Sequence, residues 1–532
     1  MTAPRAAGGT GSVAEVVERA WAGVLGTAPG PDDDFYADGG TSLRAALVVA
    51  RMRADGLSGV SVQAVMETPR FADLVDRLDR ASGAVQAPAP LRRVDRTSPL
   101  PLSYAQEIQL LSGVRARKEG KPVHPSVLPF ALRLTGTNPE QVRAALAVLV
   151  ARHESLRMGF RTDAEAERID PFVVPAVAPA DLLLVLPAPD AGVAGTAELA
   201  LAVLRGVIDR QSPPECPPLL AFSAYPDGDG LMLVGFVDHV VCDGISLALL
   251  LDELAAELAA EGEPRSYGRD VDFLDWAGWQ RAVLAGTEGE RLLDFWTAHL
   301  GPGGPLPRLE VPTPRDPESQ PEYVELEIEL DAVTWGALTE AGRIAGATRL
   351  AVVLTVLDRG WCRAIGGGEL VVHVPTANRA HPEVEGLVGA LAHSLPVRLD
   401  RERAHGFAAH LAATGTMLRD VVQHEAAPLA WLAERLEPDG GPQVLLRRRM
   451  FVSYEEPTPS RWPLRNGSME LVPLPWAPAA YDGVRVRVVD EGHVARLLVS
   501  VNGRLVDAES MRSLVRDMGT AVREAVCTGL GD

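Results

Sequence analysis

The sequence predicts a multidomain chain, with a small all-α helical bundle at the front and a large α/β portion of two lobes behind it. Three observations predict this. Residues 12 to about 80 hold three amphipathic helical patterns: one at 13–25, one starting near Ser42, and FADLVDRLDRA at 71–81. The block SGAVQAPAPLRRVDRTSPLPLS then follows, rich in Ala, Pro and Arg and without periodicity, which reads as a proline-stiffened linker. From about residue 100 onward, strand and helix signals alternate without another clear break, over more residues than one ordinary core holds. The expected bounds are 1–82 for the small domain, 83–99 for the linker, and 100–275 and 276–532 for the two lobes.

Individual elements support the division. Asn138-Pro139 opens a helix with a cap and an N1 proline, Gln141 falls at N3, and Val142, Leu146, Leu149 and Val150 make one apolar stripe. YVELEIEL (323–330) alternates apolar and Glu residues as a half-buried strand should. ARLLVSVNGRLVD (495–507) carries Asn502-Gly503 between two apolar runs, a hairpin signal.

Composition narrows the function. A formal charge of −20 argues against nucleic acid as a partner and against an anionic membrane surface. Lysine occurs only at 118 and 121, so arginine supplies the rest of the positive charge. Cys216, Cys242, Cys362 and Cys527 are scattered with no CxxC pair, so neither a disulfide framework nor a metal site follows, and Cys242 reads as a small buried hydrophobe. No signal peptide or stretch of 18 apolar residues is seen, which predicts a cytoplasmic protein.

Two places carry chemistry. In PDDDFYADGGTSLRAALVVARM, Gly39 and Gly40 permit a tight turn directly before Thr41-Ser42, which puts Ser42 at or near a helix N-terminus. Ser42 there either caps its helix or presents a hydroxyl for an attached phosphate, which nearby backbone N–H groups favour. In GFVDHVVCDGISL (235–247), the buried-strand run LMLVGFV delivers an ionisable pair, Asp238 and His239, and then turns through Asp243-Gly244 into a helix.

Residues 12–81 resemble the carrier protein of non-ribosomal peptide synthetases. The acidic-aromatic lead (Asp33, Asp34, Phe35, Tyr36), Gly-Gly-x-Ser-Leu and the downstream VMETPRFADLVDRL carry the resemblance, with Asp38 where that family has a buried aliphatic residue. It implies that Ser42 bears 4′-phosphopantetheine, whose thiol holds an acyl group as a thioester.

Residues 100–532 resemble the condensation domain of the same synthetases, a fold of two chloramphenicol-acetyltransferase-like lobes. Five stations carry this in order: SYAQEIQLL (103–111), RHESLRMGF (152–160), FLDWAGWQR (273–281), LVGALAHSLPVRLD (387–400) and HEAAPLAWL (424–432). Ile108 stands where the family prefers Arg, and Ala392-His393-Ser394 replaces Val-Asn-Thr. The family's central His-His-x-x-x-Asp-Gly reads here Asp238-His239-Val240-Val241-Cys242-Asp243-Gly244. The second histidine is kept and the first has become Asp.

The resemblance implies amide formation from a carrier-bound thioester and an amine, centred on His239. An imidazole with an ordinary pKa near 6.5 suits either accepting the amine's proton or orienting the amine. Asp238 is either a structural replacement for the missing histidine or, by favouring imidazolium, an impairment. Asp243 either caps the following helix or pairs across the lobes with Arg379 of PTANRAHPE, as in the family. Gly244 allows a tight turn, and its N–H is a candidate donor to a developing oxyanion. His153, Arg157, His393 and His424 read as structural.

Other readings on the same fold are a recruitment platform for a tailoring enzyme, an epimerisation domain and a heterocyclising domain. Epimerisation relatives carry a Glu-Gly-His-Gly-Arg segment, absent here; heterocyclising relatives have an Asp-x-x-x-x-Asp signature without the central histidine. The expected partners are an adenylation protein that loads Ser42 in trans, a phosphopantetheinyl transferase, and an acceptor carrier or free amine.

Overall fold

The computed structural model describes residues 12–520 except 36–37, 39, 41–43, 46–47, 50, 53–54, 56, 58–59, 61–63, 66–67, 82–89, 119, 121–125, 164–167, 189–195, 210–212, 261–270, 302–308, 310–312, 318–322, 366–368, 400–405, 437–448, 456–459, 475–482, 493, 508, 514 and 518. Ser42 therefore lies outside the described residues.

The front unit is built on the helices Val13–Leu25 and Phe71–Ala81. The first opens with a capping box between Ser12 and Glu15 and stops at Gly26, whose φ of 84° suits a residue without Cβ. Its apolar face, Val16, Val17, Ala20 and Trp21, packs with Phe35, Val48, Val49, Met52, Val65, Leu74 and Leu78 into one core. Trp21 meets Phe35 edge to face with ring centroids 5.2 Å apart. Asp38, where the resemblance implies a buried aliphatic residue, accepts from the Trp21 indole N–H at 3.2 Å. Burial raises its carboxyl above the usual range, and that bond acts in the opposite direction.

Two six-stranded sheets organise the rest of the described residues. The first runs β11 (Arg461–Leu464), β12 (Gly467–Leu471), β1 (Val127–Leu134), β6 (Gly230–Asp238), β5 (Leu220–Asp227) and β4 (Leu183–Val185). The second runs β7 (Val324–Leu330), β14 (Ala495–Val501), β13 (Gly483–Asp490), β10 (Arg449–Glu455), β8 (Leu370–Thr376) and β9 (His393–Leu399). A separate hairpin pairs Met158–Asp163 with Arg168–Val173. Neighbours in both sheets are antiparallel except β4 with β5 and β10 with its two neighbours.

The helix Pro139–Arg152 has the Asn138–Gln141 capping box and buries the expected stripe. Two expectations need correction. The lobes do not divide cleanly at residues 275 and 276, because the hairpin β11–β12 comes from the second half of the chain yet pairs with β1, at Leu132↔Leu471 and Leu134↔Met469. The helix Phe273–Leu284 also runs across that boundary.

Asn502-Gly503 makes no hairpin among the described residues. Asn502 instead ends β14: its carbonyl accepts from the Leu505 and Val506 N–H groups, and its Oδ1 accepts from the Arg504 N–H at 3.0 Å. That turn carries Val506 and then Met511 into the second core, where a returning strand would leave them outside it.

The linker is fixed from Leu91 onward. Leu91 is buried in the first lobe's core and its N–H donates to Glu383 at 3.0 Å. The Val94 N–H donates to Asp275 at 2.7 Å, and Arg96 bridges Asp275 and Glu154.

Gly40 is the front unit's tightest point. Its N–H donates to the Phe35 carbonyl at 2.7 Å, and a Cβ there would overlap that carbonyl and the Phe35 ring. Gly40→Ala is expected to destabilise this unit by about 1–3 kcal/mol. Chemical denaturation followed by Trp21 fluorescence checks it; an unchanged midpoint would mean that the turn relaxes freely.

Candidate functional site

The site begins where β6 ends. Asp238 is the last strand residue, paired with Val127, and its N–H donates to the Leu219 carbonyl at 2.9 Å. Its Oδ1 accepts from the Val240 N–H at 2.9 Å and its carbonyl from the Val241 N–H at 3.1 Å. The carboxylate thus closes the turn that follows it, a local use to which a short acid is suited.

His239 stands in that turn, held by its N–H on the Ser126 carbonyl at 2.7 Å. Its ring is half-buried, and neither ring nitrogen has a partner among the described residues; Nδ1 is fully covered. Cys242 is completely buried and burial drives its thiol well up, as a small hydrophobe rather than a nucleophile.

Asp243 fulfils both of its possible roles at once. As N-cap of the helix Gly244–Ala259, its Oδ1 accepts from the Ser246 N–H at 2.7 Å. It is also held bidentately by Arg379, Nη1 to Oδ2 at 2.9 Å and Nη2 to Oδ1 at 3.1 Å. The Leu391 and Ala392 N–H groups add bonds of 3.1 and 2.9 Å to Oδ2. Burial alone would raise this carboxyl, but the Arg379 charge and these donors outweigh it and hold it below the usual range. Arg379, 1% exposed, also donates to Ala377 and Leu387 carbonyls and to the Ser246 hydroxyl.

The segment that brings Arg379 here leaves β8, crosses into the first lobe and returns as β9. Asn378, at φ 53°, turns the chain out of the sheet, and its side chain donates to the Leu391 carbonyl at 3.2 Å. Val384, Leu387, Val388, Ala390 and Leu391 then pack into the first lobe's core. Gly389 lies directly against Phe273, where a Cβ would overlap the ring, and its carbonyl accepts from the Asp243 N–H at 3.0 Å. Gly244 differs: a Cβ there would meet nothing within 4 Å, so the chain's own packing does not require glycine.

The other histidines singled out in the sequence, His153, His393 and His424, hold structure. His153 is buried 2.8 Å from Glu253, and Arg157 donates to the Val150 and Val174 carbonyls. His393 donates through Nε2 to the Glu425 carbonyl, and burial pushes its pKa down to about 4. His424 stacks on Phe295 at 3.6 Å and accepts from Arg291 at 2.8 Å.

Sequence reasoning missed Ser246 and Asn378, whose roles depend on a partner far along the chain, and Glu425. Glu425 lies against a cavity of about 50 Å³ between the lobes, lined also by Trp276, Trp279, Gln280, Asn378 and His381. Burial pushes it up to about 7, opposed by a bond from the Thr376 hydroxyl. On either side of the undescribed residues 41–43 stand the Gly40 turn and helical Arg44 and Ala45. Among the described residues no cluster of metal-ligating side chains occurs.

Removing one partner of the buried pair leaves the other charged and dry, so Arg379→Ala is expected to cost about 3–5 kcal/mol, read from urea unfolding. For Glu425 the folded-state pKa is raised, so its contribution to stability is complete below the unfolded value of about 4.3 and is lost as pH rises to about 7. Glu425→Gln should therefore raise stability by roughly 3 kcal/mol at pH 8 and change it little at pH 4. Melting curves across that range check it.

The condensation-domain model matches residues 120–453, and the phosphopantetheine-attachment-site model matches residues 15–78. The chain is 30% identical over 429 residues to the N-(5-amino-5-carboxypentanoyl)-L-cysteinyl-D-valine synthase of Amycolatopsis lactamdurans, covering 79% of this chain. It spans only 11% of that synthase's length. Its fold is similar to the X-domain from teicoplanin biosynthesis, with a TM-score of 0.70 at 20% identity over 83% of this chain and 98% of that one. It is also similar to SgcC5 from Streptomyces globisporus, with a TM-score of 0.64 at 19% identity over 81% and 99%. The chain belongs to the condensation-domain family of non-ribosomal peptide synthetases, with a carrier domain of the kind that holds covalent 4′-phosphopantetheine ahead of its condensation domain.

Proposed function

We propose that the chain forms an amide, joining an acyl group held on the carrier's Ser42 to an amine supplied by another carrier or free in solution. The phosphopantetheine would supply the thiol that holds the acyl group as a thioester. The observation that carries the reading is the His239 ring: its nitrogens are unpartnered among the described residues, in a turn where Asp238, Val240 and Asp243 are all hydrogen-bonded. Nδ1 is covered, but Nε2, equally without a partner among the described residues, is not among the covered atoms, and it is the nitrogen an incoming amine can reach.

An α-amine has a pKa of about 7.7–8.0, so part of it is neutral near pH 7 and attacks the acyl carbon unaided. Its nitrogen then carries a positive charge and must shed a proton before the carbon–sulfur bond breaks. The imidazole of His239 takes that proton or holds the amine in line, and the departing sulfur finally receives it. Asp243 and Arg379 act at a distance from the reacting atoms: they fix the turn on which His239 stands. Gly244 leaves open the space where a side chain would stand, at the head of a helix whose free N–H groups suit a developing negative charge. Asp238 serves as a structural replacement, since its carboxylate already holds the Val240 N–H. An adenylation protein and a phosphopantetheinyl transferase would act on the carrier.

A second reading is a recruitment platform. Asp238 and the replaced segment Ala392-His393-Ser394 favour it, and the teicoplanin X-domain, of similar fold, is described in a complex with OxyB.

The test is to convert the protein to its pantetheinyl form, load aminoacyl groups on Ser42 and offer carrier-bound and free amines, with products read by mass spectrometry. Amide is expected, falling by about 10²–10⁴-fold in His239→Ala and little altered in Asp238→His. A tailoring enzyme that binds tightly while no amine in a broad panel reacts would replace the amide reading with the platform.

A further inference from the structure

We infer that the segment from Arg379 to Ala392 is the seat on which this chain's own carrier delivers to its own condensation domain, with Glu385 receiving Arg51 of the carrier. The inference rests on the amide-forming reading above. Arg51 lies nine residues beyond Ser42 in sequence and is helical, as are Arg44, Ala45, Val48 and Val49. Its Nε stands 2.6 Å from Glu385 Oε1. The arginine reaches outward past Gly23, where a Cβ would overlap its guanidinium. Val422, at the end of the helix Gly406–Gln423, packs against the carrier's apolar core. Asp34 of the carrier lies within electrostatic reach of Arg343 on the helix Ala332–Ile344. Each side therefore presents one cation and one anion, a pattern that fixes orientation as well as proximity.

The tether makes delivery internal. Leu91 is anchored by Glu383, two residues from Glu385, and the carrier's last helix ends at Ala81. Ten residue steps span at most about 35 Å. The carrier is thus tethered to a segment that both anchors its linker and pairs with Arg51. That segment is also the one that positions Asp243, through Arg379, Gly389, Leu391 and Ala392. A seated carrier and an aligned His239 turn share a single piece of backbone.

The test uses the full chain with Arg51→Glu, Glu385→Arg and the double charge swap. Two quantities are read. One is the ratio of the single-turnover rate from Ser42-bound acyl group to the rate with free acyl-pantetheine. The other is the spread of distances between spin labels at Asp76 and Val333, both exposed, in a Cys216→Ser, Cys527→Ser background. For a half-exposed pair the single variants should lower the ratio about fivefold and broaden the distances, and the swap should restore both. Single variants that leave ratio and distances unchanged, or a swap that restores neither, overturn the seat. A wild-type protein that makes no amide while its distances respond to the charges refutes the amide reading and leaves the seat standing.

Discussion

The Asp243–Arg379 pair is the constraint on which the rest of the site depends. Both charges are out of water, a placement that costs several kcal/mol per ion unless geometry and additional hydrogen bonds offset it. The offset here is unusually full. Asp243 receives five donors: two from Arg379 and one each from Ser246, Leu391 and Ala392. Those donors come from the first lobe's helix and from a segment that belongs by sequence to the second lobe. The carboxylate can be satisfied only when the two are in register, so the pair acts as a geometric lock on the turn four residues earlier that bears His239.

The lock extends through the backbone. Between Asn378 and His393 the chain leaves one sheet, packs five apolar residues into the other lobe's core, and returns. The hairpin β11–β12 makes a second crossing, adding two strands to the first sheet. Two crossings resist both sliding and opening of the lobes, and the cavity beside Glu425 lies in the seam they leave. The buried Glu425 carboxyl there accepts from the Thr376 hydroxyl, but burial outweighs that bond in its titration.

Much of this was legible in the sequence because it is local. Ser12 with Glu15, Asn138-Pro139 with Gln141, and the stripes at 13–25 and 71–81 state their structure within one or two helical turns. The Asp243–Arg379 contact was legible only through family resemblance, since 136 residues separate the partners. What escaped depends on distant packing. Asn502-Gly503 has the composition of a hairpin, yet Val506 and Met511 belong to the core, and their burial outweighs the local turn preference. The hairpin at 461–471 joins the first sheet through β1, a pairing with residues more than 300 positions earlier that local sequence does not specify. Nothing in the sequence singles out Glu425, because its isolation is created by Trp276 and Trp279, some 150 residues away.

The substitution at Asp238 bears on which function the fold serves. A histidine replaced by aspartate at a strand end loses a ring but keeps a hydrogen-bond acceptor, and the acceptor is what the turn uses, on the Val240 N–H. The local backbone therefore has no need of the lost residue. His239 presents the opposite case: its backbone N–H is bonded to Ser126, while its ring bonds to nothing among the described residues. A covered, unsatisfied nitrogen is a standing cost to stability, on the order of 1–3 kcal/mol. In the amide reading proposed above, it is the uncovered Nε2 of the same ring that would bond an arriving amine. The two neighbouring positions thus separate the roles: one side chain holds the turn, and the other is kept free by it.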